Sequence, residues 1–148
     1  MILLDSNLLV RLTNSADPQC AISRSAIHKL LARPERLILV PQNLYEFWAV
    51  ATRSAGNPPA GQNGLGMTCE QASQWLAFFQ RRFTFLADRD ELPSRWHALV
   101  KTHGVKGFRS HDTRLVAAME TYGITRLLTF NTHDFKVYAI TIIEPSSV

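Results

Sequence analysis

Cysteine is nearly missing from this chain of 148 residues: Cys20 and Cys69 are the only two. They are too few and too far apart for a disulfide framework or a zinc site, so a packed core has to hold the fold. Long hydrophobic runs are missing as well. The longest, such as Leu37-Ile38-Leu39-Val40, span a few residues and fall far short of a membrane span. No basic stretch followed by an apolar run and a cleavage site opens the chain, which argues against export. These absences predict a reduced, cytoplasmic protein with no membrane partner. Charged residues make up only 19%, and no run of Lys or Arg forms a basic tail. What is present is an ordinary globular balance, with 46% hydrophobic residues, which argues against disorder. The length predicts a single domain over residues 1–148 with a sizeable core. The net charge of +4 favours contact with polyanions such as nucleic acid, a weak signal by itself.

Apolar runs alternate with helical periodicity. Ile2-Leu3-Leu4 reads as a short buried strand followed at once by Asp5, Ser6 and Asn7. Asn7 is expected to cap a helix carrying Leu8, Leu9 and Leu12, and Asp17-Pro18 to open the next one, which stops before Pro34. Leu37 to Val40 reads as a strand ended by Pro41; a helix then runs from Asn43 to about Arg53 with Leu44, Phe47, Trp48 and Ala51 on one stripe. Breaker-rich residues 56–66 predict a long loop. Thr68 and Gln71 have the spacing of a capping box. Its helix carries Trp75, Phe78 and Phe79, a surplus of aromatics that suits core packing or a dimer or partner interface. A short strand at Phe83–Leu86, helices over about 92–103 and 112–122 ended by Gly104 and Gly123, and strands at Arg126–Thr129 and Ala139–Ile143 complete the pattern. Such alternation predicts a three-layer α/β fold, a mostly parallel central sheet with helices on both faces.

In such sheets ligands sit beyond the carboxyl ends of the strands. Asp5 is placed there, as is the segment with Asn131 and Asp134. Glu46 lies nearly opposite the apolar stripe of its helix and also has capping-box-like spacing from Asn43, so a structural and a functional reading both stand. Asp112 continues the stripe of Leu115, Val116 and Met119, where an ionised carboxylate needs partners. If these carboxylates converge, they stay ionised together only around a cation. Oxygen donors alone favour Mg²⁺ or Mn²⁺ over zinc. Such an ion polarises a phosphate and lowers the pKa of water, which suits phosphodiester hydrolysis.

Four segments carry a family resemblance that spans nearly the whole chain. Leu4-Asp5-Ser6-Asn7-Leu8-Leu9, Leu44-Tyr45-Glu46-Phe47, His111-Asp112-Thr113-Arg114-Leu115-Val116-Ala117-Ala118-Met119 and Leu128-Thr129-Phe130-Asn131-Thr132-His133-Asp134-Phe135 resemble, in order and spacing, the acidic motifs of PIN-domain ribonucleases. The match is to the VapC-type toxins of toxin–antitoxin pairs. The resemblance implies a Rossmann-like PIN fold and Mg²⁺-dependent endoribonuclease activity that leaves a 5′-phosphate and a 3′-hydroxyl. It also implies a cognate antitoxin and a homodimer. Asp5, Glu46 and Asp112 would be catalytic and hold the metal, with Asn131 or Asp134 completing the site. Asn131 stands where many members carry Asp, and its neutral oxygen binds a cation more weakly. That departure leaves room for a non-catalytic RNA-binding or complex-forming PIN-like module.

The same resemblance implies that Asn7 orients Asp5 or a phosphate. Arg53, i+7 from Glu46, has a salt-bridge reading and a phosphate-binding one. Lys101, Lys106, Arg109 and Arg114 flank Asp112 and could track an RNA backbone or simply face solvent. His111 projects about 100° from Asp112 on a helix, and chemistry run by a metal and water needs no imidazole base.

Overall fold

The computed structural model describes residues 1–56 and 64–148. Most of the loop expected over 56–66 therefore lies outside the described residues. Five short strands form one all-parallel sheet: β1 (Ile2–Leu4), β2 (Leu37–Leu39), β3 (Thr84–Phe85), β4 (Arg126–Leu128) and β5 (Thr141–Ile143), in the order β3-β2-β1-β4-β5. Between them run α1 (Ser6–Thr13), α2 (Cys20–Leu31), α3 (Pro41–Thr52), α4 (Cys69–Arg82), α5 (Leu92–Thr102) and α6 (Ser110–Tyr122). The three-layer α/β arrangement expected from the sequence is the one observed.

Alternation along each strand divides the core. Ile2, Leu4, Leu37, Leu39 and Leu128 face one side, where Leu8, Leu9 and Leu12 of α1, Ile27 of α2, Phe47 of α3 and Phe79 of α4 cover them. Leu3, Ile38 and Leu127 face the other side, under Leu92 of α5 and Leu115, Val116 and Met119 of α6. Strands buried on both faces read as continuous apolar runs rather than alternating ones, which is why such short segments are legible as strands. The aromatics of α4 differ in burial. Phe79 is fully buried and meets Phe47 edge-on at 5.0 Å, whereas Phe78 remains 38% exposed.

Several boundaries differ from the sequence reading. Asp5, not Asn7, caps α1, because the strand gives way to the helix with no intervening turn. Pro41 opens α3 instead of merely ending the strand, since a proline at the first helical position sacrifices no hydrogen bond. α2 starts at Cys20, later than Asp17-Pro18 suggested; Asp17 instead accepts a hydrogen bond from the Gln19 amide at 2.7 Å in the turn before it. α6 begins at Ser110, placing Asp112 within its first turn. The Thr68–Gln71 capping box and the left-handed Gly123 after α6 match expectation.

One buried side chain works against this core. Ser23 on α2 is fully buried, and its hydroxyl has no hydrogen-bond partner among the described residues. A buried unpartnered hydroxyl costs about 1–3 kcal/mol. Ser23→Ala is therefore expected to stabilise the protein by about 1 kcal/mol, a rise of roughly 2–4 °C in Tm for a domain of this size, measured by thermal unfolding. An unchanged or lower Tm would mean that the hydroxyl is satisfied.

Candidate functional site

The strand order reverses at β1: the chain steps to one side for β2 and β3, and to the other for β4 and β5. A crevice opens at such a switch point, beyond the carboxyl ends of the strands. Here it lies between β1 and β4, which pair in parallel, so the residues following each strand emerge side by side.

Asp5 is 7% exposed and caps α1. Its Oδ2 accepts hydrogen bonds from Thr129 Oγ1 at 2.6 Å and Asn7 Nδ2 at 2.7 Å, while Oδ1 accepts only a long one, 3.3 Å, from the Asn7 amide. Asn7 Nδ2 also donates to Thr129 Oγ1 at 3.1 Å, and the Asn131 amide donates to the same hydroxyl at 2.9 Å. The ends of β1 and β4 are thus tied through one carboxylate. Burial pushes the Asp5 carboxyl up to about 6; bonds from Thr129 and Asn7 offset part of this, and Glu46 and Asp112 add to it.

Glu46 stands on α3, half-buried, and plays no part in a cap. Asn43 supplies the capping, its Oδ1 accepting from the Val40 amide at 2.8 Å and its Nδ2 donating to the Leu4 carbonyl at 2.9 Å. Both oxygens of Glu46 are held by other groups. Ser6 Oγ donates to Oε2 at 2.5 Å, and Gln42 Nε2 donates to Oε1 at 2.7 Å. Gln42 is itself buried: it also donates to the His111 carbonyl at 2.8 Å and accepts from Arg114 Nη1 at 2.9 Å. Arg114 in turn pairs with Asp88. One chain of hydrogen bonds therefore runs from Asp88 through Arg114 and Gln42 to Glu46 and Ser6.

Asp112 is half-buried at the start of α6, and among the described residues no donor reaches its carboxylate. Burial pushes it up to about 6, with Asp134 and then Glu46 adding to the rise and Arg109 and His111 offsetting it.

Asp5, Glu46, Asp112 and Asn131 line one hollow of about 390 Å³, together with Ser6, Asn7, Arg11 and Arg53. Arginines border it, but no lysine lines it. Asp134 does not reach it. That carboxylate lines an adjoining hollow of about 250 Å³, shares Asp112 as a wall, and pairs with Arg109 at 2.8 Å. Of the two residues expected to complete the site, Asn131 is the one brought in. Arg53 faces the hollow, whereas Arg109 and Arg114 are engaged by Asp134 and Asp88. His111 is exposed.

The donor set suits a hard divalent ion: three carboxylates and an amide oxygen, two of the carboxylates with their pKa pushed up to about 6 by burial and by nearby carboxylates. Among the described residues, no three His, Cys, Asp or Glu side chains surround a common point as they stand. The donor oxygens are nonetheless of the kind a hard divalent ion takes, and they line a hollow already formed.

Ser6, Gln42, Thr129 and Arg11 are site residues that sequence reasoning did not single out. Thr129 follows β4 directly and Ser6 opens α1 one residue beyond Asp5, and the short hydroxyl of each reaches a carboxylate of the site. Gln42 offers only its i, i+4 spacing to Glu46. Arg11 carries no such signal; its guanidinium lies 4.7 Å from the centre of the Phe130 ring.

No family model and no curated protein matches the chain. Solved structures do. VapC20 of Mycobacterium tuberculosis, a toxin that cleaves the sarcin–ricin loop, matches with a TM-score of 0.66 at 12% identity over 95% of this chain and 98% of that one. VapBC2 of Rickettsia felis, bound to a fragment of its promoter DNA, gives 0.67 at 15% over 97% and 98%. A toxin–antitoxin complex from Klebsiella pneumoniae gives 0.65 at 18% over 98% of each chain. At these identities what is shared is the fold: the chain has the PIN-like α/β fold of VapC-type toxins.

Proposed function

We propose that this protein is a Mg²⁺-dependent endoribonuclease, the toxin of a toxin–antitoxin pair. The observation that carries the reading is the convergence of Asp5, Glu46 and Asp112, from three distant parts of the chain, on one hollow at the sheet's switch point. A bound Mg²⁺ would polarise the scissile phosphate and make water a better nucleophile. Asp5 Oδ1 and the Asp112 carboxylate, which no donor reaches among the described residues, would hold the ion, and Glu46 would orient the attacking water through its fixed carboxylate. Thr129 and Asn7 keep Asp5 in place. Arg53 and Arg11, on the same hollow, would meet the RNA backbone, making affinity fall with salt.

The similar toxins of Rickettsia felis and Klebsiella pneumoniae occur in complexes with antitoxins, and this chain has a surface suited to such a partner. An apolar groove of about 550 Å³ between α2 and α4 is lined by Ile27, Leu31, Trp75 and Phe78, with Arg24 and Arg82 beside them. An amphipathic segment with acidic residues fits that chemistry.

Incubation with total RNA tests the activity. Cleavage in Mg²⁺ that stops in chelator and returns on adding Mn²⁺ is expected; intact RNA throughout would leave the reading without support. Asn131, with its neutral oxygen in place of a carboxylate, favours a second reading, a non-catalytic RNA-binding module. Saturable Mn²⁺ binding in calorimetry, lost in Asp112→Asn, counts against that alternative.

A further inference from the structure

We infer that Phe108 is a stacking platform for an unpaired base of single-stranded RNA, beside the candidate metal centre. The inference rests on the ribonuclease reading and adds a substrate contact to it. Phe108 is 82% exposed, more than any other large hydrophobic side chain described. It sits in the turn Gly107–Arg109, just ahead of α6 and its Asp112. Gly107 adopts φ +63, a conformation that disfavours side chains, and the tight turn it starts leaves the ring in solvent.

Core packing does not account for this ring, and two cations stand nearest it in the chain, with the carboxylates Asp112 and Asp134 beyond them. Lys106 and Arg109 flank it in the chain and line the hollow of about 250 Å³ whose wall includes Asp112, with His103 alongside. Arg109 is paired with Asp134, but both side chains are well exposed, 49% and 37%. Such a pair contributes little and yields readily to a phosphate.

Charge decides which occupant suits the patch. A protein covering Phe108 would have to desolvate the neighbouring cations, which is unfavourable without opposite charges. An RNA strand neutralises them with phosphates and offers an unstacked base to the ring. Double-stranded RNA keeps its bases stacked and has none to offer.

The test uses the whole protein in chelator, so that nothing is cut, and a short fluorescein-labelled single-stranded RNA followed by anisotropy. Phe108→Ala is expected to weaken binding about tenfold, the usual scale for one stacked base. Phe108→Trp is expected to keep wild-type affinity and to add a tryptophan emission quenched by RNA. Binding of a duplex of the same length should change little. An unchanged affinity in Phe108→Ala, with Tm as in wild type, would overturn the assignment. So would a shift from dimer to monomer on the same substitution, seen by light scattering, because the ring would then serve a second copy of the chain. If wild type leaves RNA whole in Mg²⁺ while the Phe108→Ala binding defect persists, the nuclease reading fails and the stacking site stands.

Discussion

Asp5→Asn is expected to give a more stable protein that no longer cuts RNA. Asp5 is nearly buried, and its carboxyl is pushed from 3.8 to about 6. A raised carboxyl pKa means that the folded state holds its proton more tightly than the unfolded one. The contribution to stability is therefore undiminished below about pH 4 and is lost progressively as pH rises to about 6. Above that the ionised group costs about 3 kcal/mol, taking 1.36 kcal/mol per pKa unit. Asparagine removes the charge and keeps an oxygen where Thr129 Oγ1 and Asn7 Nδ2 donate. What it loses is the long bond from the Asn7 amide, which would face a donor. The net gain at neutral pH is expected to be about 1–2 kcal/mol, a rise of roughly 5 °C in Tm.

The advantage should shrink as pH is lowered and be gone near pH 4, where the folded protein holds the Asp5 carboxyl protonated and no buried charge is left to remove. Saturating Mg²⁺ should raise the Tm of wild type and leave that of Asp5→Asn unmoved, since only the carboxylate gains from the ion. Cleavage should fall at least about a hundredfold, more than loss of an outer contact to a metal ligand brings. Thermal scans at several pH values, with chelator and with Mg²⁺, check all of this. A Tm difference that does not vary with pH would show that Asp5 carries no buried charge.

The sheet and its helices were legible because burial on both faces wrote the strands as unbroken apolar runs, and because α3, α4 and α6 each carry a stripe at helical spacing. Asp5 was legible for a related reason: a carboxylate directly after a buried run has little to satisfy it except the neighbouring loops. Asp112 stood out by continuing an apolar stripe, and of the three carboxylates lining the hollow it is the one that no donor reaches among the described residues. Glu46 was ambiguous in sequence because capping and catalysis want the same residue type near a helix start. Coordinates separate the two, giving the cap to Asn43. Between Asn131 and Asp134 the sequence had no means of choosing. Asn131 lines the hollow with Asp5, Glu46 and Asp112, whereas Asp134 pairs with Arg109, twenty-five positions away, at the adjoining one. Long-range pairings of this kind leave no periodic trace, and the same is true of the bond from Arg114 to Gln42.

That last bond makes Gln42 the second informative position. Gln42→Leu is expected to lower stability by about 2–3 kcal/mol, or roughly 5–10 °C in Tm, and to cut kcat about 10- to 100-fold with RNA affinity unchanged. Leucine fills a similar volume but severs three bonds at once. The His111 carbonyl loses its donor, Arg114 keeps only Asp88, and Glu46 Oε1 is left bare beside Asp5 and Asp112. Glu46 then pivots about Ser6 alone, so its carboxylate no longer has a fixed direction. Gln42→Glu separates positioning from stability. A glutamate there retains the partnership with Arg114, protecting the fold, yet repels Glu46 instead of donating to it. Its Tm should stay nearer to wild type than that of Gln42→Leu, while its kcat falls as far. If Gln42→Glu cleaves RNA with the kcat of wild type, the direction of Glu46 is set by Ser6, and the chain from Asp88 serves only the fold.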